Sequence, residues 1–258
     1  RHRQRQDDLC QNLPAAGAVD QRAFFKLERD GLEIAHQQPG RERDQDRRVG
    51  QDQRERRVEQ AQLVEAILTD MRTQADLTGP RPLVSIFFGG GTPSLMEPDA
   101  VASIIAEAKI LWPSQGALEI SLEANPTDAE RDRFEGFAKA GVERLSLGLQ
   151  SLNDASLKLL GRNHRADEAL RAARTARDIF ARLSVDLIYA LPGQSPQAWA
   201  DELSAAADLG ADHISPYQLT IESGTAFDRA VRRGALVPPD DELGAVLYET
   251  TQTVLSQR

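Results

Sequence analysis

The sequence predicts an α/β fold built on a parallel β-sheet. Short apolar segments typical of strands start near residues 83, 118, 142, 183 and 213, and longer segments with helical apolar spacing separate them. Such alternation is typical of right-handed βαβ units on a parallel sheet. Five strands at this spacing fit either an open doubly wound sheet or part of a (β/α) barrel. In both architectures ligands bind at the carboxyl ends of the strands.

The first predicted strand leads directly into a run of glycines. Residues 83–88 are rich in β-branched and aromatic side chains, which predicts a strand buried on both faces. Gly89, Gly90, Gly91 and Thr92 follow at once. Glycine lacks a Cβ, so a ligand can approach the backbone closely, and the N–H groups of such a turn can hold an anion or a carboxylate. The position between a strand and a helix favours a ligand-binding loop over a simple tight turn.

The remaining elements follow from periodicity and from residues that end helices. Residues 118–123 alternate between apolar and polar side chains, which predicts a strand with two unlike faces. Pro216 lacks an N–H group, so the last strand should lie at an edge, contain a bulge or start there. Glycine or proline ends several of the helices. The predicted helices cover residues 58–78, 97–111, 127–140, a short segment ending at 160, 166–180, 197–209 and 240–257.

Residues 1–57 differ from the rest of the chain because they are crowded with Arg, Gln and Asp and contain few apolar residues. Such a segment buries too little surface to offset its ordering entropy, so we expect disorder or a poorly packed tail. The predicted organisation is therefore a segment of residues 1–57 followed by a folded domain of residues 58–258.

Composition excludes several functional classes. A net charge of −9 argues against a protein that binds nucleic acid through phosphate contacts, which require a basic face. Cys10 is the single cysteine, so no disulfide framework is predicted. We find no apolar run of transmembrane length and no signal-peptide pattern, and we therefore expect a cytoplasmic protein.

The ends of the predicted strands collect a set of polar residues that would meet at one edge of the sheet. Asp186 lies within an apolar strand, where a buried carboxylate needs partners, so a site role is favoured. Simpler structural roles remain open for the others, such as a solvated strand end for Glu123 or a surface charge for Arg162. The whole set comprises Gly89, Gly90, Gly91, Thr92, Glu123, Asn125, Gln150, Ser151, Arg162, His164, Asp186, Tyr189, Tyr217, Gln218 and Thr220. The four histidines lack metal-ligand spacing.

Six motifs follow one another along the chain. They are FFGGGTPSL at 87–95, EISLEANP at 119–126, LSLGLQS at 145–151, LGRNH at 160–164, VDLIYALPGQ at 185–194 and HISPYQLTIE at 213–222. In this order they resemble motifs of the radical S-adenosylmethionine (SAM) superfamily. Within it, they are similar to the family of the haem chaperone HemW and of oxygen-independent coproporphyrinogen III oxidase. The resemblance runs from about residue 58 to the end of the chain.

This resemblance implies a partial (β/α)6 barrel that holds SAM and, in intact members, a [4Fe-4S] cluster whose electron converts SAM to a 5′-deoxyadenosyl radical. By motif, Gly90, Gly91 and Thr92 would meet the methionine part of SAM, and Glu123 would hold the ribose hydroxyls. The remaining cofactor-binding residues would be Gln150, Arg162 and Asp186. HemW-like members bind haem and deliver it to a client protein. His164 and His213 are candidate axial ligands, and the alternative for each is a structural role or a polar contact on the SAM side.

One departure from the family concerns the cluster. The family opens with a strand followed by a C-x3-C-x2-C motif, whereas this chain has only Cys10, and one thiolate is insufficient to hold a [4Fe-4S] cluster. We therefore expect residues 1–57 to be foreign to the family, as a frameshift would make them, and the barrel to be incomplete at its N-terminus. The alternatives to a HemW-like chaperone are a coproporphyrinogen oxidase, and thus an oxidoreductase, or a cluster-free SAM-binding remnant without activity.

Overall fold

The structure is a computed structural model that describes the backbone of residues 42–129 and 131–258, and the side chains of these ranges from residue 58 onward. The chain divides into two compact units, residues 1–55 and residues 56–258. Disorder was predicted for residues 1–57. Residues 1–41 lie outside the described residues, so for them it stays a prediction. Residues 42–57 are helical, and this helix begins at Glu42 rather than near Val58, because Arg, Gln and Glu favour helices even without an apolar face.

Five parallel strands form one sheet in the described part of the chain. They are β1 (Ser85–Phe88), β2 (Glu119–Ala124), β3 (Arg144–Gln150), β4 (Arg182–Tyr189) and β5 (His213–Gln218). Their spatial order is the order of the sequence, and every neighbouring pair is parallel. The sheet curls into a half-barrel, which confirms the predicted α/β class and decides between the open sheet and the barrel.

Helices connect the strands as predicted and, apart from the start of the first helix, their ends differ from the predicted ones by a few residues. They are α1 (Glu42–Thr78), α2 (Pro98–Leu111), α3 (Arg131–Ala140), α4 (Asp154–Leu159), α5 (Ala166–Ile179), α6 (Pro196–Ala207), α7 (Ala226–Arg232) and α8 (Asp241–Ser256). The sequence had not predicted α7, which begins where the Thr225 hydroxyl accepts a hydrogen bond from the N–H of Asp228.

The two faces of the sheet have opposite chemistry. Side chains alternate between the faces of a strand, and the set that includes Leu122, Leu147 and Leu187 is buried in the main hydrophobic cluster with helical residues. We call the opposite side the polar face. Its residues on β2 to β5 are Glu119, Ser121, Glu123, Arg144, Ser146, Gly148, Arg182, Ser184, Asp186, His213, Ser215 and Tyr217, together with the apolar Ile188.

Strand β1 is not buried on both faces, and that prediction was wrong. Phe87 is 62% exposed and Val84 is 74% exposed. The reason for the exposure of Phe87 is the face on which its side chain lies: Phe87 is in register with Ser121 and therefore lies on the polar face, whereas Ile86 and Phe88 pack against the hydrophobic cluster. Strand β1 also pairs only with β2 and forms one edge of the described sheet. The prediction for Pro216 is confirmed, since β5 forms the opposite edge.

Candidate functional site

A cavity of about 290 Å³ lies at the carboxyl ends of the strands. This volume is near the lower bound of about 300 Å³ that is usual for small-molecule pockets. Six of the seven predicted cofactor residues line it, and the seventh, Gly90, lies beside it. The full lining is Gly91, Thr92, Pro93, Glu123, Ala124, Asn125, Ser146, Gly148, Gln150, Arg162, Asp186 and Tyr217.

The glycine loop forms one wall of this cavity. Gly90 and Gly91 have φ values of +81° and +63°, which residues with a Cβ rarely adopt. The Gly90 N–H donates a hydrogen bond of 3.2 Å to Oε2 of Glu123. At Gly89 a Cβ would lie 2.6 Å from the Phe87 ring and 3.2 Å from Oε1 of Glu123. The loop therefore needs glycine, and one of its N–H groups binds a carboxylate of the protein itself.

Buried polar contacts fix the turn that follows the glycines. Ser94 is fully buried, and its hydroxyl donates a 2.7 Å hydrogen bond to Asp128. The guanidinium of Arg133 on α3 donates to the carbonyl oxygens of Ser94 and Met96, at 2.7 and 2.8 Å. The glycine loop is thus held at its far end by two groups from the connection between β2 and β3, which limits its freedom beside the cavity.

The end of β3 places Gln150 in the cavity at the cost of backbone strain. Gln150 has a φ of +65°, and the register of β3 with β4 shifts between Leu147 and Gln150. A left-handed residue other than glycine costs on the order of 1–3 kcal/mol and is most common at functional sites. Gly148 provides the room, because a Cβ there would lie 2.6 Å from the Gln150 amide nitrogen.

Asp186 lies on the polar face of β4 among hydroxyl groups. The Ser146 hydroxyl is 3.3 and 3.4 Å from its two carboxylate oxygens, and Ser215 bonds to it from β5. Burial raises the pKa of Asp186 above its ordinary value, and the nearby charge of Glu123 raises it further, against the lowering effect of the two serines. Asp186 is therefore half-buried beside hydroxyl partners, and its role in cofactor binding stays a prediction.

The loop between α4 and α5 contributes Arg162, which lines the cavity. His164, two residues later, is buried, and its Nε2 lies 3.2 Å from the carbonyl oxygen of Leu149. This contact attaches the loop to the end of β3. The structure therefore places His164 as a loop hydrogen-bonding residue, outside the cavity lining.

Several other strand-end residues do not meet in the cavity. Ser151 is fully buried, and Tyr189 stacks on Trp199 with ring centroids 5.3 Å apart on the helix-covered side. Gln218 and Thr220 do not line the cavity, because β5 ends at Gln218, earlier than predicted. Asn125 and Tyr217 do line it.

Sequence reasoning missed four lining residues, Pro93, Ala124, Ser146 and Gly148. Ser146 and Gly148 follow from the alternation of β3, since they lie on the same face as Arg144. The alternation of β3 could therefore have predicted both residues, but the site prediction was based mainly on the residues that follow each strand.

Among the residues with described side chains, no group of three or more His, Cys, Asp or Glu side chains could hold a metal ion. Those residues include no cysteine, and Cys10 lies outside them. A [4Fe-4S] cluster therefore does not fit the described site. None of the described helices is long and apolar enough to cross a membrane.

The fold and the cavity define a class of protein, a parallel α/β half-barrel with a polar ligand site at the strand ends. Residues 51–206 match the Radical SAM superfamily. The chain belongs to this superfamily.

Named relatives support a narrower similarity. The chain is 44% identical over 203 residues to radical S-adenosyl methionine domain-containing protein 1, mitochondrial, of Mus musculus, which covers 78% of this chain and 46% of the relative. It is 39% identical over 190 residues to the heme chaperone HemW of Escherichia coli, covering 73% and 50%. The chain thus spans about half the length of the curated relatives it matches.

Among solved structures, the chain is similar to coproporphyrinogen III oxidase (HemN) from Escherichia coli, described as a radical SAM enzyme. The TM-score is 0.66 at 25% identity, and the match covers 77% of this chain and 46% of that protein. The predicted resemblance to the HemW and coproporphyrinogen oxidase family is confirmed.

Proposed function

We propose that the chain is the SAM-binding core of a HemW-like haem chaperone, and that SAM binds in the 290 Å³ cavity. The observation that carries the proposal is that residues from five separate connections or strands meet there. Six of the seven residues assigned to the cofactor by motif line that one cavity, and membership of the superfamily supports SAM as the ligand.

The charges of the cavity suit the groups of SAM, which carries a carboxylate, an ammonium, a sulfonium and a ribose diol. Glu123 is oriented by the Gly90 N–H at 3.2 Å, which leaves its other oxygen to accept hydrogen bonds from ribose hydroxyls. Arg162 and the N–H of Gly91 would be the donors for the carboxylate of SAM, because the Gly90 N–H already donates to Glu123. Bound SAM would supply the group that radical SAM enzymes cleave. The residues described here bind and orient it.

Isothermal titration calorimetry of the full chain with SAM tests this site. Glu123→Ala and Asp186→Ala should each weaken binding at least tenfold, because each removes a charged hydrogen-bonding group from the cavity. Glu135→Ala is the matched control, since Glu135 lies on the surface of α3 in an exposed ion pair with Arg131. If Glu123→Ala and Asp186→Ala bind SAM as tightly as the unmodified chain, the site assignment is wrong.

Haem delivery is proposed for the whole protein on the similarity to proteins named heme chaperone HemW. Titration of the chain with haem, followed in the Soret band, measures whether the described core contributes to haem binding. Saturable binding with one haem per chain would support the proposal, and transfer to an apo-haemoprotein would identify the client class.

The alternative activity is that of coproporphyrinogen III oxidase, which the structural similarity to HemN favours. An assay for decarboxylation of the propionate side chains separates it from the chaperone. The third alternative, a cluster-free SAM-binding remnant, predicts SAM binding without either haem transfer or decarboxylation.

The proposal does not include a [4Fe-4S] cluster, because the residues whose side chains the structure describes contain no cysteine. The cytoplasm stays the proposed compartment, on the sequence expectation alone. The word mitochondrial in the name of the mouse relative makes the mitochondrion the alternative. Immunoblotting of fractionated cells distinguishes them.

A further inference from the structure

Two non-glycine residues in the described part of the chain have a left-handed backbone. Gln150 has a φ of +65° and Ala190 a φ of +60°. Gln150 is the last residue of β3, and Ala190 follows the last residue of the adjacent strand β4. Such conformations persist only where the surrounding structure enforces them. The contacts that enforce them therefore also determine the shape of the cavity edge.

The turn at Gln150 is closed from both sides. The Ser151 N–H donates a 2.8 Å hydrogen bond to the Leu149 carbonyl, so that Gln150 is the centre of a three-residue turn. Its φ is that of the strained γ-turn. The buried Ser151 hydroxyl donates a short hydrogen bond to Oε1 of Glu202, and the Leu152 N–H donates to the same oxygen at 2.6 Å.

The same carboxylate reaches the turn at Ala190. Oε2 of Glu202 accepts a 3.5 Å hydrogen bond from the side-chain amide of Gln194. The amide oxygen of Gln194 in turn accepts a 3.2 Å hydrogen bond from the N–H of Leu191, which directly follows Ala190. One side chain thus connects the two strained strand ends.

The helix that carries Glu202 is well anchored. Helix α6 buries Trp199, Leu203 and Ala206 completely. The Trp199 indole N–H donates a 2.8 Å hydrogen bond to the Thr251 hydroxyl on α8. Because a group on a rigid helix holds its partners more accurately than one on a loop, Glu202 is a fixed point for both turns.

We propose that Glu202 is a positioning residue for the SAM cavity. Its carboxylate holds the ends of β3 and β4 in the strained turns, and the turn at β3 directs Gln150 into the cavity. Glu202 itself does not line that cavity, so it acts through Ser151 and Leu152. The predicted effect of Glu202 on SAM binding rests on the proposed SAM site.

The test compares Glu202→Ala with Glu202→Gln in the full chain, by amide hydrogen exchange and by calorimetry with SAM. Glu202→Ala should raise exchange at Leu152 and Leu191 at least tenfold and weaken SAM binding at least tenfold. Glu202→Gln keeps one side-chain oxygen as acceptor, so it should restore most of both. Asp201→Ala is the matched control, because the neighbouring Asp201 bonds only to Gln197 within its own exposed helix surface.

A second variant covers the case in which Glu202→Ala fails to fold. Ser151→Ala removes only the buried hydroxyl donor and should raise exchange at Leu152 and weaken SAM binding two- to fivefold. Unchanged exchange at Leu152 in the folded variants overturns the inference whatever happens to SAM. Raised exchange with unaltered SAM affinity also overturns it and leaves the proposed function intact. If the unmodified chain binds no SAM but the variants show raised exchange at Leu152, the positioning role is supported and the proposed cofactor is overturned.

Discussion

Substitution of Gly148 by Ala tests whether the Gln150 amide contacts the ligand. The added Cβ would lie 2.6 Å from the amide nitrogen of Gln150, while the next atoms, in Ala124 and Asn125, are 3.7 and 3.8 Å away. Ordinary contact begins at 3.4 Å, so the amide must withdraw by about 0.8 Å. The obstructing group is the end of a flexible side chain, and therefore the backbone need not move.

The expected effects on binding and stability have opposite signs. Loss of one hydrogen bond from Gln150 to the ligand removes about 0.5–1.5 kcal/mol, which raises the Kd for SAM about two- to twelvefold. Replacement of glycine by alanine at a compatible backbone angle raises the free energy of unfolding by about 0.4–1 kcal/mol. Gly148→Ala should therefore bind SAM more weakly while it unfolds at an equal or higher temperature.

Calorimetry and thermal unfolding measure both quantities on the same sample. Gly116→Ala is the matched control, because a Cβ at Gly116 meets nothing within 4 Å. An unchanged Kd for Gly148→Ala, in a chain that binds SAM, would refute the contact between Gln150 and the ligand. A marked fall in the unfolding temperature would refute the argument that only a flexible side chain must move.

The remaining predictions concern pH and a buried hydrogen bond. Burial raises the pKa of Asp186. Its ionised form therefore destabilises the folded chain at pH values above the ordinary aspartate pKa of about 3.9. Protonation of Asp186 relieves this destabilisation as the pH falls through the raised pKa. Asp186→Asn should thus raise the free energy of unfolding at pH 7, by an amount that shrinks in acid. Asp212→Asn should do the reverse, because a backbone N–H donated to its carboxylate lowers the pKa of Asp212, and its stabilisation is lost as pH falls. Urea unfolding at several pH values checks both, and a parallel pH dependence for the two variants would contradict the reasoning. Thr251→Val should lower the free energy of unfolding by about 1–3 kcal/mol, because it leaves the buried indole N–H of Trp199 without its acceptor. Thr253→Val on the exposed side of α8 is the control, and equal effects of the two would disprove the role of this bond.

The sequence predicted the order of elements because helix and strand periodicities are local properties. The strands were predicted to start near residues 83, 118, 142, 183 and 213, and they start at 85, 119, 144, 182 and 213. The gathering of Glu123 and Asp186 in one cavity also follows from a local pattern, because parallel strands bring their carboxyl ends to one edge.

Burial and long-range contacts could not be predicted in the same way. An apolar strand such as β1 has the same sequence pattern whether one or both of its faces are covered, so the exposure of Phe87 depends on what packs against each face of the sheet. Glu202 lies about fifty positions from Ser151 in the sequence, on a helix whose pattern indicates only a solvated acidic residue. No local signal shows that its carboxylate bonds to the end of β3.

In the part of the chain that the structure describes, β1 forms an edge of the sheet, and this edge bears on the behaviour of the chain in solution. The N–H and C=O groups along one side of Ser85–Phe88 have no strand partner within the described sheet, and Phe87 beside them is 62% exposed. Such an edge is a template for strand pairing between molecules, and no proline or lysine within β1 opposes it. We expect concentration-dependent self-association that starts at β1, and charge repulsion from the net charge of −9 should slow it at low ionic strength. Dilute, low-salt conditions are therefore the ones in which this chain should stay monomeric.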